Sequence, residues 1–214
     1  MRAAATLMFA LVGGGAAWAH QDHADTPLRQ KEPIAAIPAP PERRGTTDAR
    51  AYFTDTPLVT QDGRSVRFYS DVMEGRTVLI NVIYTNCKDA CPLITHKLLE
   101  VRMRLGERFG RDVHFITLTS DPERDTPREM KAFAQRQNAD LPGWTWLTGS
   151  KADIDFLLKR LGQFTKHVED HSTMLIAGNV AGKRWTKIRP DTSAEAISER
   201  LKLLSAPSTL GFGS

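Results

Sequence analysis

The chain is sparing with cysteine: only two occur in 214 residues, so no multi-bridge disulfide framework can be its skeleton. A compact region of roughly 150 residues buries about two-thirds of the surface its unfolded chain exposes, and neither cysteine is needed as a staple. Runs made only of lysine and arginine are absent too. The formal charge is +4, but the basic residues are interleaved with acids, as in Arg102, Arg104, Glu107 and Arg108. That pattern describes a solvated mixed-charge face and argues against a nucleic-acid site. The sequence has no internal repeat, and beyond its N-terminus no segment is apolar enough to span a membrane.

Residues 1–19 read as an export signal. Arg2 supplies the positive start, an apolar stretch follows from Ala3 to Ala17, and Ala17-Trp18-Ala19 gives the small-x-small cleavage pattern. The same stretch, left uncleaved, would be a membrane anchor. Either way the protein is expected outside the cytoplasm, in a periplasmic or equivalent oxidising compartment where a cysteine pair tends toward disulfide. Residues 20–50 read as a Pro-rich linker, with Pro27, Pro33, Pro38, Pro40 and Pro41 mixed with charge. Cleavage after Ala19 would start the mature chain at His20-Gln21-Asp22-His23, a weak Cu(II) site or simply a polar tail. Residues 205–214 read as a tail, leaving one folded domain over 51–204.

Within that domain strand and helix signals alternate. Val66 to Tyr69 follows the turn signal Asp62-Gly63 and suits a peripheral hairpin arm. Thr77 to Tyr84 is dense in β-branched and aromatic residues, as a strand covered on both faces would be. Ile94, Leu98, Val101 and Leu105 then form the stripe of an amphipathic helix, with Gly110 as its expected stop. Val113 to Thr119 reads as the next buried strand. Thr126-Pro127-Arg128-Glu129 combines an N-cap, a proline at the first helical position and a capping-box acid. A strand is expected near Thr145 to Leu147, then a helix from Ser150 to Gly162, strands over Met174 to Ala177 and Arg184 to Ile188, and a last helix opened by Thr192 to Glu195. Phe133, Trp144 and Trp146 are assigned to the core. This order is that of an α/β domain with a central sheet flanked by helices.

The two cysteines stand where the first central strand meets its helix, in Tyr84-Thr85-Asn86-Cys87-Lys88-Asp89-Ala90-Cys91-Pro92. That location points to a thioredoxin-like fold. Pro92 suits the first helical position, which makes Cys91 the N-cap and leaves Cys87 in the loop. The helix N-terminus offers free N–H groups and a positive dipole end, both of which favour thiolates. Cys-x-x-x-Cys is one residue longer than the common redox spacing, so the wider loop can hold two sulfurs on a metal, close them as a disulfide, or do both in turn.

Two thiolates suit Cu(I), whereas Cu(II) asks for nitrogen as well. His171, in the polar loop Asp170-His171-Ser172-Thr173, is the best-placed supplier, with His167 its rival. His96 is expected on a solvent face and His114 within a strand.

Three blocks resemble the Sco (SenC) family of copper chaperones for cytochrome c oxidase assembly. They are Tyr84-Thr85-x-Cys87-x-Asp89-x-Cys91-Pro92, Ser120-Asp121-Pro122-Glu123-Arg124-Asp125-Thr126-Pro127, and Asp170-His171-Ser172, in the family's order over residues 50–204. The resemblance implies a thioredoxin fold with an inserted hairpin, one copper, Cu(I) or Cu(II), held by Cys87, Cys91 and His171, and as partner an oxidase copper-site subunit or another copper carrier. Asp89, Asp121 and Asp125 become candidates to orient the ligands. Lys88 stands where the family commonly has proline, and no aspartate occurs near Ala177. The alternative the same residues serve is a thiol–disulfide oxidoreductase that keeps the oxidase copper-site cysteines reduced, with Cys87 attacking and Cys91 resolving. A peroxidase would need an arginine and a threonine about its cysteine, and none is evident.

Overall fold

The computed structural model describes residues 49–206. The expected export signal, nearly all of the linker and the end of the C-terminal tail therefore lie outside the described residues, as do His20 and His23. The described part opens with a short helix, α1 (Ala49–Phe53), followed by the hairpin β1 (Pro57–Thr60) and β2 (Ser65–Arg67). Then come β3 (Thr77–Ile83), α2 (Ala90–Leu105), β4 (Val113–Thr119), α3 (Pro127–Arg136), β5 (Trp144–Thr148), α4 (Lys151–Leu161), β6 (Leu175–Asn179), β7 (Arg184–Ile188) and α5 (Ala194–Ser205).

All seven strands join one sheet in the order β2-β1-β5-β4-β3-β6-β7. β3, β4 and β5 are mutually parallel, with α2 and α3 as their crossovers, while β6 runs antiparallel to β3. Side chains alternate across a strand, so β3 feeds two cores at once. Leu79 and Ile83 pack with Phe115, Trp144 and Trp146 under α2, α3 and α5. Val78, Ile80 and Val82 pack with Ile116, Leu118 and Leu147 under α1 and α4. Every residue of β3 is buried for this reason, and Phe133, Trp144 and Trp146 are core residues as expected.

Helix ends follow local chemistry where it is strong. Thr126 Oγ1 accepts the Glu129 N–H at 3.3 Å, and Ser150 Oγ accepts that of Asp153 at 3.1 Å. Gly162 closes α4 in the left-handed conformation at φ 64°. Three ends differ from the sequence reading. α2 stops at Leu105 because Gly106, at φ 56°, takes the capping role expected of Gly110. α5 is capped by Ser193 rather than Thr192, its Oγ accepting the Ala196 N–H. α2 starts before Cys91, with Asp89 as the flanking residue, so Cys91 and Pro92 lie inside the first turn.

Candidate metal centre

The cysteine loop is set by what anchors the exit of β3. Asp125, 1 % exposed, accepts the Thr85 N–H at 3.1 Å and the hydroxyls of Thr85 and Thr119, each at 2.5 Å. A carboxylate from the loop after β4 therefore clamps the residue two positions before Cys87. Burial pushes the Asp125 carboxyl up against the pull of those donors. The chain then turns, the Cys87 N–H donating to the Tyr84 carbonyl at 3.2 Å.

Cys87 Sγ accepts the Cys91 N–H at 3.3 Å. The Asp89 side chain makes no capping bond; the Cys87 sulfur instead satisfies one of the N–H groups that a helix leaves without an internal partner. This explains why α2 begins earlier than its proline suggests. Pro92 brings no N–H to that first turn, so its position there leaves no donor stranded.

The two thiols, both free, differ in environment. Burial raises the Cys87 thiol, but hydrogen bonds from Cys91, the Asp89 backbone and the Tyr84 hydroxyl outweigh it and bring the group below its usual value. Burial drives the Cys91 thiol far up, reinforced by its hydrogen bond to Cys87, and Cys91 is 1 % exposed. Tyr84 is raised to about 12, first by burial and then by the neighbouring Cys87 charge; it stays a hydroxyl donor. Lys88 is solvent-exposed, and hydrogen bonds rather than that cation lead the downward pull on Cys87.

His171 reaches the site through sheet topology. Because β6 pairs antiparallel with β3, Ile80 opposite Ile176, the chain entering β6 lies beside the chain leaving β3. His171 Nε2 is 3.9 Å from Cys91 Sγ. Its Nδ1 donates to the Val168 carbonyl at 2.9 Å, which leaves Nε2 with a free lone pair facing the sulfur. Metal-binding imidazoles are held by the same arrangement. The ring stands edge-on to Tyr84, with centroids 5.3 Å apart, and is almost wholly buried. Gln163 Nε2 donates to the Met174 carbonyl at 3.2 Å, closing the base of the loop that carries the histidine.

Cys91 thus lies against both Cys87 and His171. His96 and His167 are exposed, and His114 lies on β4 at the other end of the sheet. Asp125 acts on the loop through Thr85. Asp121 pairs with Arg124 at 3.0 Å, and Asp89 gives Cys87 its backbone N–H. Tyr84 and Gln163 were assigned no role from sequence; Tyr84 lies within the cysteine block but reads there as strand. With metal bonds of about 2.3 Å to sulfur and about 2.0 Å to nitrogen, a 3.9 Å separation subtends roughly 125–130° at an ion between them, near trigonal. Among the described residues no three His, Cys, Asp or Glu side chains stand grouped so as to hold a metal ion.

Such a domain, thioredoxin-like with a cysteine pair opening a helix and an imidazole delivered by the opposing crossover, is a recognised class. The SCO1/SenC family model matches residues 44–205, and the chain belongs to that family. The SCO1 protein homolog of Bacillus subtilis is 32% identical over 117 residues, 54% of this chain and 59% of that protein, so the match spans less than two-thirds of that relative's length. The Bradyrhizobium japonicum ScoI structure with copper bound is 26% identical with a TM-score of 0.59, covering 70% of this chain and 96% of that one. A structure of BsSco, reporting a disulfide switch in that member of the Sco family of cytochrome c oxidase assembly proteins, is 27% identical with a TM-score of 0.59, covering 70% and 90%.

Proposed function

We propose that this protein binds one copper ion through Cys87, Cys91 and His171 and delivers it to the copper-site subunit of a cytochrome c oxidase, in the oxidising compartment that residues 1–19 predict. The observation that carries this reading is the lone pair of His171 Nε2 aimed at Cys91 Sγ at 3.9 Å, with Nδ1 committed to Val168. The copper-bound relative supports the metal, and BsSco's membership among oxidase assembly proteins supports the destination. Copper here is cargo. Cys87 is half-exposed, so an incoming thiolate or imidazole from a partner can reach the ion beside it, and exchange can proceed one ligand at a time. Closing the cage requires the Cys87 sulfur to turn toward the Cys91–His171 pair, which gives up its contacts with the Cys91 and Asp89 N–H groups and the Tyr84 hydroxyl.

Copper quantification and visible absorption on the purified protein, with and without reductant, test the assignment. Cys87→Ser, Cys91→Ser and His171→Ala should each sharply weaken binding while the fold survives. A cysteine variant that still takes up one Cu(II) with a thiolate charge-transfer band would refute the two-sulfur site.

A second reading is favoured by the asymmetry of the thiols. Cys87, accessible and lowered, suits an attacking thiolate; Cys91, buried and raised, suits a resolving thiol. The Cys87 thiolate would attack one sulfur of a partner disulfide and expel the other as thiolate. Cys91, giving up its proton, would then attack Cys87 Sγ and release the partner's second thiolate. The partner disulfide gains two electrons, and the Cys87–Cys91 pair ends as the disulfide. His171→Ala assayed without metal separates the two readings: disulfide reduction should persist where copper binding is lost.

A further inference from the structure

Where α1 and α4 meet the β7 edge of the sheet lies an apolar cavity of about 240 Å³. The buried residues Phe53, Leu161 and Ile176 form its floor, and the rings of Tyr52 and Trp185 its walls. Trp185 is 36% exposed, so the hollow is open to solvent. Leu161 ends α4 and Ile176 is the second residue of β6. The cavity therefore lies between the two ends of the segment that carries His171.

The charge around it is one-sided. Arg160 and Lys187, both exposed, line the cavity, and no carboxylate does. α1, β6 and β7 contain no acid, and the two on α4, Asp153 and Asp155, are engaged by Ser150 and Lys151. Among the described residues neither Arg160 nor Lys187 has an ion-pair partner, and neither gives a side-chain N–H to an acceptor. The Arg160 guanidinium is held instead over the rings of Tyr52 and Phe156, 4.9 and 5.0 Å from their centroids. A cation steadied by ring faces keeps its in-plane donors for an incoming carboxylate and loses little freedom on binding one. Lys187 Nζ stands at the end of α4, 3.2 Å from where a Cβ on Gly162 would be.

The group complementary to this arrangement is one large apolar side chain flanked by carboxylates. The volume lies below the roughly 300 Å³ at which pockets for drug-sized molecules begin. Tryptophan, tyrosine and arginine are, moreover, the residues that dominate the energetics of protein–protein contacts. A lipid surface is a poorer match. Aromatic rings that enter a bilayer interface must project, whereas Trp185 lies flat across Gly178 and helps to wall a hollow. A second copy presenting the same face would bring these cations against their own counterparts, an approach that like charges oppose.

We infer that this cavity is a docking site for an acidic segment of a partner protein. The segment seats one aromatic or large aliphatic side chain between Tyr52 and Trp185 and places its carboxylates on Arg160 and Lys187. The site is independent of the copper reading. Random peptides displayed on phage and panned against the full chain test it, with the Arg160→Gln/Lys187→Gln double variant as counter-target. The enriched peptides should share one large apolar residue flanked by Asp and Glu. In calorimetry with a synthetic peptide of that consensus, Arg160→Gln and Lys187→Gln should each weaken binding about tenfold, and serine in place of its apolar residue should abolish it. Added salt should weaken it as well. Lys187 packs on no ring, so its variant remains informative even if Arg160→Gln loosens α4. A consensus peptide free of tryptophan should change the protein's tryptophan emission, and Trp185→Phe should remove that change. The absence of an acidic consensus, equal affinity for the double variant, or an emission change that survives Trp185→Phe would overturn the proposal. So would uptake by phosphatidylglycerol vesicles without any peptide consensus, or a dimer in sedimentation that the double variant alters.

Discussion

Asp125 touches none of the three donors, yet it governs where one of them sits. Its oxygens satisfy one N–H and two hydroxyls. In Asp125→Ala the two hydroxyls can rotate to new partners, but the Thr85 N–H cannot. A buried unsatisfied donor costs about 1–3 kcal/mol, so urea unfolding should show a loss in that range. Copper affinity should fall as well, because the Cys87 loop loses its anchor; an affinity equal to the parent's would mean the loop holds its shape unaided. Asp71 supplies a contrasting case at the surface. Hydrogen bonds from Arg67 lower its carboxyl from 3.8 to about 2, so the unfolded chain holds the proton more tightly. Its contribution is therefore present above about 4 and is lost as pH falls toward 2. Asp71→Asn should lower stability by a constant amount near neutrality and flatten the profile in that acid window, the variant and the parent converging as pH falls toward 2.

Among the elements, α1 depends on a residue remote in sequence. Phe53 packs against Phe68 with centroids 5.9 Å apart and against Trp185 at 5.4 Å. Trp185 lies flat across Gly178, opposite it on β6: a Cβ there would sit 2.2 Å from Trp185 Cε3. Gly178→Ala must lift the indole, loosening α1, and overpacking of this kind costs roughly 1–3 kcal/mol. Chemical denaturation should show that loss together with a change in tryptophan emission. Unaltered stability would show that the ring can move aside freely. The same elements show what a sequence discloses. Thr126, Ser150 and Gly162 cap their helices as read, since each acts on residues within one turn. The start of α2 was misread because its cap is a sulfur in the preceding loop, and no propensity rule anticipates that. α1, which straddles the expected boundary between linker and domain, has no sequence signal because a five-residue helix has no periodicity of its own and exists through Phe53's distant partners.

Over the whole molecule, the metal centre joins two connections that the backbone keeps apart. Cys87 and Cys91 are legible from their spacing together with their place where a buried strand meets a helix. His171 lies 80 residues beyond Cys91; its loop before a strand sets it ahead of His167 in the sequence, but its approach to the thiols is decided by β6 running antiparallel beside β3. Tyr84 and Gln163 escaped notice for a similar reason: their partners are assembled by the fold. The arrangement predicts how copper should act on the domain. An ion held by the β3–α2 loop and by the segment between α4 and β6 cross-links the two, and the native state alone offers both. At free copper near 1,000 times the dissociation constant the linkage contributes about 4 kcal/mol, which for a domain of this size raises the melting midpoint by roughly 8–16 °C. Calorimetry with Cu(I) under reductant should show that rise, and hydrogen exchange should slow across residues 163–174. His171→Ala should abolish the added protection in that segment even where the two thiols still hold some copper. Protection that persisted there without the imidazole would mean that the metal acts through the cysteine loop alone.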